Sequence, residues 1–145
     1  MTAKRMAATI AAALVVSEVL AAVVHGVLLD ADYQPFRGSL LRAQAGASMM
    51  LLPVAHLLFI TALVWVCGRL NFAGGVGARA MKIGLLGWCI GQAPLWMVWY
   101  AEQPWPGNLL VKQLALEFVS AVVVGLTIAL VGGRRTAPAR MPAAV

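Results

Sequence analysis

The chain has 145 residues, 62% of them hydrophobic and 11% charged, with a formal net charge of +6. That charged share is under half the roughly 25% usual in soluble domains. A small domain buries only part of its surface, so a water-soluble globule is excluded and a lipid bilayer is the expected surrounding. The basic residues stand at the ends of apolar runs, with no basic stripe interleaved with aromatics, so they read as topology signals and headgroup contacts and nucleic acid is excluded as a partner.

Four apolar segments follow in chain order, at about residues 6–29, 45–66, 80–100 and 109–131. Each reaches the ~20 residues a helix needs to cross hydrocarbon. Runs such as Ala11-Ala12-Ala13-Leu14-Val15-Val16 are apolar all round, whereas barrel strands alternate. The fold class predicted is therefore all-α, a polytopic bundle of four transmembrane helices. Lys4 and Arg5 before the first segment resemble the front of a signal peptide, but the segment is long enough to span and is predicted to be retained.

Lys and Arg in the short loops set the orientation. Lys4, Arg5, Arg69, Arg79, Lys82, Arg134, Arg135 and Arg140 fall on one side. Arg37, Arg42 and Lys112 fall on the other, offset by Asp30, Asp32 and Glu102. Both termini are predicted to be cytoplasmic, in the inner membrane of a bacterium, and residues 134–145 form a basic tail predicted to be disordered. Tyr33, Phe36, Trp96, Trp99, Tyr100 and Trp105 gather toward the outer interface, where amphipathic rings anchor; a ligand-binding aromatic cage is the other reading. Cys67 and Cys89 lie at different depths, which argues against a disulfide, and both read as packing residues.

The third segment carries Gly84, Gly87 and Gly91, spaced to share one helical face, and Gly87-Trp88-Cys89-Ile90-Gly91 is a literal G-x-x-x-G. Ala121 and Gly125 repeat the idea in the fourth. Such faces let helices approach closely, either within one chain or between copies. Pro53 and Pro94 are expected to disturb their helices.

Polar groups at membrane depth are costly and point to function. Glu18, His56, Gln92, Glu117 and Ser120 fall within a layer of about 10 Å at helical rise, which lets them meet inside the bundle. A carboxyl in low dielectric favours its protonated form, and an imidazole could share that proton, so one reading is a proton- or cation-linked site. The other is a set of hydrogen bonds that holds the bundle together. No close pair of metal ligands shares a helix, and His25 lies about 10 Å from the level of His56, so neither metal nor haem is predicted; His25 is expected to pair with Asp30 or with headgroups. No nucleophile stands beside a His–acid pair and no phosphate-cradling loop is present, so neither enzyme activity nor a cofactor is expected.

The stretch His25-Gly26-Val27-Leu28-Leu29-Asp30-Ala31-Asp32-Tyr33 resembles the end of the first span in a group of small bacterial four-span proteins of unknown function. Leu63-Val64-Trp65, Lys82-Ile83-Gly84-Leu85-Leu86-Gly87, and Tyr100 followed by Pro104-Trp105-Pro106 resemble the same group, although the acid pair Asp30 and Asp32 departs from its single acid. The resemblance implies the four-span fold and no activity. Glu18 in the middle of the first span is also similar to the small multidrug resistance transporters. Their third-span aromatic motif is not matched here, and Glu117 is foreign to their pattern. Two functions follow as expectations: helix–helix association, as a homo-oligomer or as a subunit of a larger membrane complex, or proton-coupled transport through the intramembrane carboxylates.

Overall fold

The computed structural model describes residues 1–39, 50–70 and 72–133. It is all-helical, with no strand among the described residues. The expected start of the second span at residue 45, Arg42, and the expected tail 134–145 lie outside the described residues.

Helix α1 (Ala3–Val23) begins at Thr2, whose extended backbone and side-chain oxygen cap the first turn. It runs on through a π-helical turn, Val24–Leu28. The chain then breaks at Leu29 and forms the short α2 (Asp30–Tyr33) and a 3₁₀ turn, Gln34–Phe36. Helix α3 (Leu51–Arg69) holds Pro53 in its first described turn, where a missing N–H costs little. It runs to Arg69, beyond the apolar segment, and the Arg69 guanidinium lies over the Trp65 ring at 5.1 Å.

Gly74, at φ 114°, breaks the chain ahead of α4 (Val76–Gly87). A second π-helical turn, Trp88–Gln92, leads directly into α5 (Ala93–Glu102). Pro94 explains that turn: its ring has no N–H and crowds the carbonyl four residues back, so the helical ladder widens just before it. Helix α6 (Gly107–Val131) closes the fold. Among the described residues, three helices are long and apolar enough to cross a membrane: Ala3–Leu28, Leu51–Arg69 and Gly107–Val131. The stretch from Val76 to Glu102 is helical throughout, as α, π and α turns in succession.

Helix α6 is the hub. It packs against α1, α4 and α5, while α3 packs against α1. Its buried side includes Gln113, Ser120, Ala121, Val124, Gly125 and Ile128. The main core joins Ala13 of α1, Ile60, Leu63 and Val64 of α3, Ile83 of α4, and Val124 and Ile128 of α6.

The glycine face is used inside the chain and divided between two neighbours. A Cβ on Gly84 would come within 2.6 Å of Val122 Cα on α6, and one on Gly125 would strike the Ala80 carbonyl of α4. Gly87 and Gly91 turn instead to α3, where their added Cβ atoms would lie 3.1 Å from Leu63 and 2.5 Å from Phe59. The indole of Trp88 reinforces the α4–α6 seam by donating to the Leu114 carbonyl at 3.1 Å.

The start of α1 and the end of α6 lie at one end of the bundle, joined by a bond from Arg5 Nε to the Val131 carbonyl, 3.0 Å. At the opposite end the aromatic rings stack on each other rather than splaying outward. Tyr33 and Trp105 are buried with Leu29 and Leu109, and Phe36 and Tyr100 pack against Trp105. Both cysteines are free; Cys67 packs against the core, but Cys89 is exposed.

Candidate functional site

The five polar residues singled out within the spans sort into two places. Glu18 and His56 form one pair, with Glu18 Oε1 2.8 Å from His56 Nδ1. Glu18 lies roughly 22 Å along α1 from Ala3, at 1.5 Å per residue, well inside the apolar helix. The pair is not enclosed: the Glu18 and His56 side chains are 39% and 32% exposed, on the outer surface where α1 meets α3.

Gln92, Glu117 and Ser120 meet elsewhere. They line a cavity of about 30 Å³ at the centre of the bundle, with Ser17 of α1 and a wall that includes Phe59 and Leu63. The cavity has room and polar partners for one or two water molecules. The Gln92 Oε1 atom is buried and has no protein partner, so it is an acceptor to which such a water could donate.

Glu117 reaches from this cavity to His25. Its Oε1 is 2.9 Å from His25 Nε2, and the carboxylate is 13% exposed. His25 Nδ1 lies 2.9 Å from the Tyr33 hydroxyl, and Gln113 Nε2 donates to that same oxygen. One proton arrangement fits all three bonds, although the buried Gln113 Oε1 atom has no protein partner. Gln113 donates to Tyr33, Tyr33 donates to His25 Nδ1, and His25 donates from Nε2 to the Glu117 carboxylate. Trp96 packs over His25 with ring centroids 5.8 Å apart. Burial pushes the Tyr33 hydroxyl well above the ordinary tyrosine range; the bond from Gln113 opposes this, and nearby Tyr100, Glu117 and Asp32 add to it.

His25 therefore does not pair with Asp30. That carboxylate takes Arg37 and Gln34 instead, and Asp32 takes Lys112 at 2.7 Å. The reason is the break at Leu29: it turns the chain back, so that Tyr33 lies over His25 and the imidazole points inward to α6. Tyr33 and Gln113 joined the network without being singled out in the sequence. Gln113 carried a signal, since it stands four residues before Glu117 on one face of an apolar helix. The return of Tyr33 to His25 carried none. Among the described residues, no three His, Cys, Asp or Glu side chains come together.

Three membrane-length apolar helices and polar groups inside an all-helical bundle are the make-up of an integral membrane protein. No protein-family model matches the chain, and no curated protein or solved structure matches it.

Proposed function

We propose that the chain is a four-span protein of a bacterial inner membrane, with both termini cytoplasmic, that works by associating with copies of itself or with other membrane subunits. The span beyond the three long apolar helices is the third in chain order, the helical stretch from Val76 to Glu102, about 40 Å long at 1.5 Å per residue. The orientation rests on Lys4, Arg5, Arg69, Arg79 and Lys82, which the helix order gathers at one end. The observation that carries the association is the Glu18–His56 pair. An ionisable pair well inside the spans, with side chains 39% and 32% exposed, faces hydrocarbon if the bundle stands alone, which costs several kcal/mol by order of magnitude. A partner helix over the α1–α3 surface removes that cost. The glycine face is occupied within the chain, so it is not the contact proposed.

The test is stoichiometry. The purified full chain in lipid nanodiscs is expected to give a defined oligomer, or a stoichiometric complex with another subunit, by native mass spectrometry. Glu18→Leu with His56→Leu is expected to disperse it. A lone monomer in both preparations would sink the reading.

A second reading, proton-coupled transport, is favoured by one observation: Glu117 faces the central cavity beside Gln92 and Ser120 while bonded to His25. Uptake driven by an imposed pH gradient in proteoliposomes, unchanged in Glu18→Gln and Glu117→Gln, would end it.

A further inference from the structure

A second cavity is larger than the central one. It measures about 940 Å³ and opens at the end of the bundle where α1 and α4 begin and α3 and α6 finish. Its size is that of a ligand pocket. Apolar side chains, among them Val64, Phe72, Ile83 and Ile128, make up part of the wall. The polar part comes from Thr2, Thr9, Arg5 and Arg79.

The two arginines converge on one residue. Arg79 Nη2 donates to the Gly133 carbonyl at 2.7 Å, and the Arg5 guanidinium packs against the Gly133 Cα. Arg5 also donates from Nε to Val131 O. These bonds cap the carbonyl end of α6, but they use one N–H from each guanidinium, which carries five. Among the described residues, no carboxylate balances the charge. The chain has five acidic side chains, Glu18, Asp30, Asp32, Glu102 and Glu117, and none lines this cavity. Neither arginine forms an ion pair with any of them.

Two like charges brought to one glycine, at the mouth of a partly apolar cavity, repel each other unless an anion lies between them. The planar guanidinium fork matches a phosphate better than a spherical ion. We infer that this cavity binds a phosphate monoanion or diester between Arg5 and Arg79. The apolar wall favours the phosphate of an anionic phospholipid, with its glycerol and first acyl carbons against Ile83 and Ile128, over free phosphate.

The test uses the full chain, with phosphatidylglycerol as the probe, phosphatidylcholine as its control and inorganic phosphate as the second arm. Native mass spectrometry from detergent is expected to show phosphatidylglycerol retained in preference to phosphatidylcholine. Retention is expected to fall about tenfold or more in the variant with Arg5→Gln and Arg79→Gln. It is expected to be unchanged in Arg69→Gln, whose side chain stacks on Trp65 outside the cavity. If inorganic phosphate binds with the same dependence on Arg5 and Arg79 and displaces the lipid, the site stands as a phosphate site supplied from solution. Equal retention in the wild type and the double variant, or equal retention of the two lipids with no binding of phosphate, overturns the inference. Should the double variant lose its helical circular dichroism, the wild-type chain alone decides. A thermal stabilisation by phosphatidylglycerol or phosphate that phosphatidylcholine does not give supports the site, and none from either probe overturns it.

Discussion

Gly84 of α4 and Gly125 of α6 lie against each other where the two helices cross, and neither has room for a methyl group. A Cβ on Gly125 would sit 2.8 Å from the Gly84 nitrogen and closer still to the Ala80 carbonyl. The obstacles are backbone atoms, which cannot rotate away as a side chain can. Gly125→Ala is therefore expected to destabilise the bundle by about 1–3 kcal/mol through overpacking. Gly77→Ala, in the same helix pair but with nothing within 4 Å of its added Cβ, is expected to be neutral or slightly stabilising. Unfolding by dodecyl sulfate in mixed micelles, followed by circular dichroism, measures both. Equal effects of the two substitutions would show that the seam is looser than described.

The bond between His25 and Glu117 ties the end of α1 to α6. Removing the imidazole in His25→Leu leaves a carboxylate and the Tyr33 hydroxyl without their partner, at a cost of about 1–3 kcal/mol. Removing both ends, His25→Leu with Glu117→Leu, is expected to cost less than the sum of the single changes, with a coupling of about 1 kcal/mol or more. Strict additivity in that double-mutant cycle would mean that the pair contributes nothing as a pair.

Tyr33 supplies a pH dependence. Burial raises its pKa in the folded chain above the unfolded value of about 10, so the neutral phenol is the form the fold favours. The contribution of this group is fully present below pH of about 10 and is lost progressively as the pH rises above it, because the unfolded chain releases the proton first. The wild type is expected to lose stability above pH of about 10 more steeply than Tyr33→Phe, measured by the same unfolding assay across an alkaline series. Parallel slopes would place the hydroxyl in water.

Much of the helical outline was legible in the sequence, because an apolar run longer than ~20 residues has few alternatives in lipid. The segment expected at 109–131 is α6 from Gly107 to Val131, and that expected at 6–29 is helical from Ala3 to Leu28. The boundaries moved where charged side chains remain helical: Lys4 and Arg5 lie inside α1, and Arg69 ends α3 over Trp65. Position along each helix was also legible, since it follows from counting residues at a fixed rise. Direction was not. Glu18 and Glu117 lie at similar counts from their helix ends, yet one faces outward to His56 and the other inward to the cavity. Which way a helix is turned depends on its neighbours, and the two π-helical turns rotate everything beyond them; Pro94 announces the second, but no residue pattern announces the first. The split of Gly84 from Gly87 and Gly91 has the same origin: a stripe wide enough to serve one neighbour was wide enough to serve two.

The central position of α6 also has a consequence in time. Of the described helices, α6 leaves the ribosome last, yet α1, α4 and α5 all pack against it, and it supplies Glu117, Gln113 and the glycine that receives α4. Until it enters the membrane, α3 has α1 and the Gly87–Gly91 face, but the side of α4 that carries Ala80 and Gly84 has no mate. A ribosome stalled before Gly107 would thus display inserted helices only partly assembled, and the described bundle would close late.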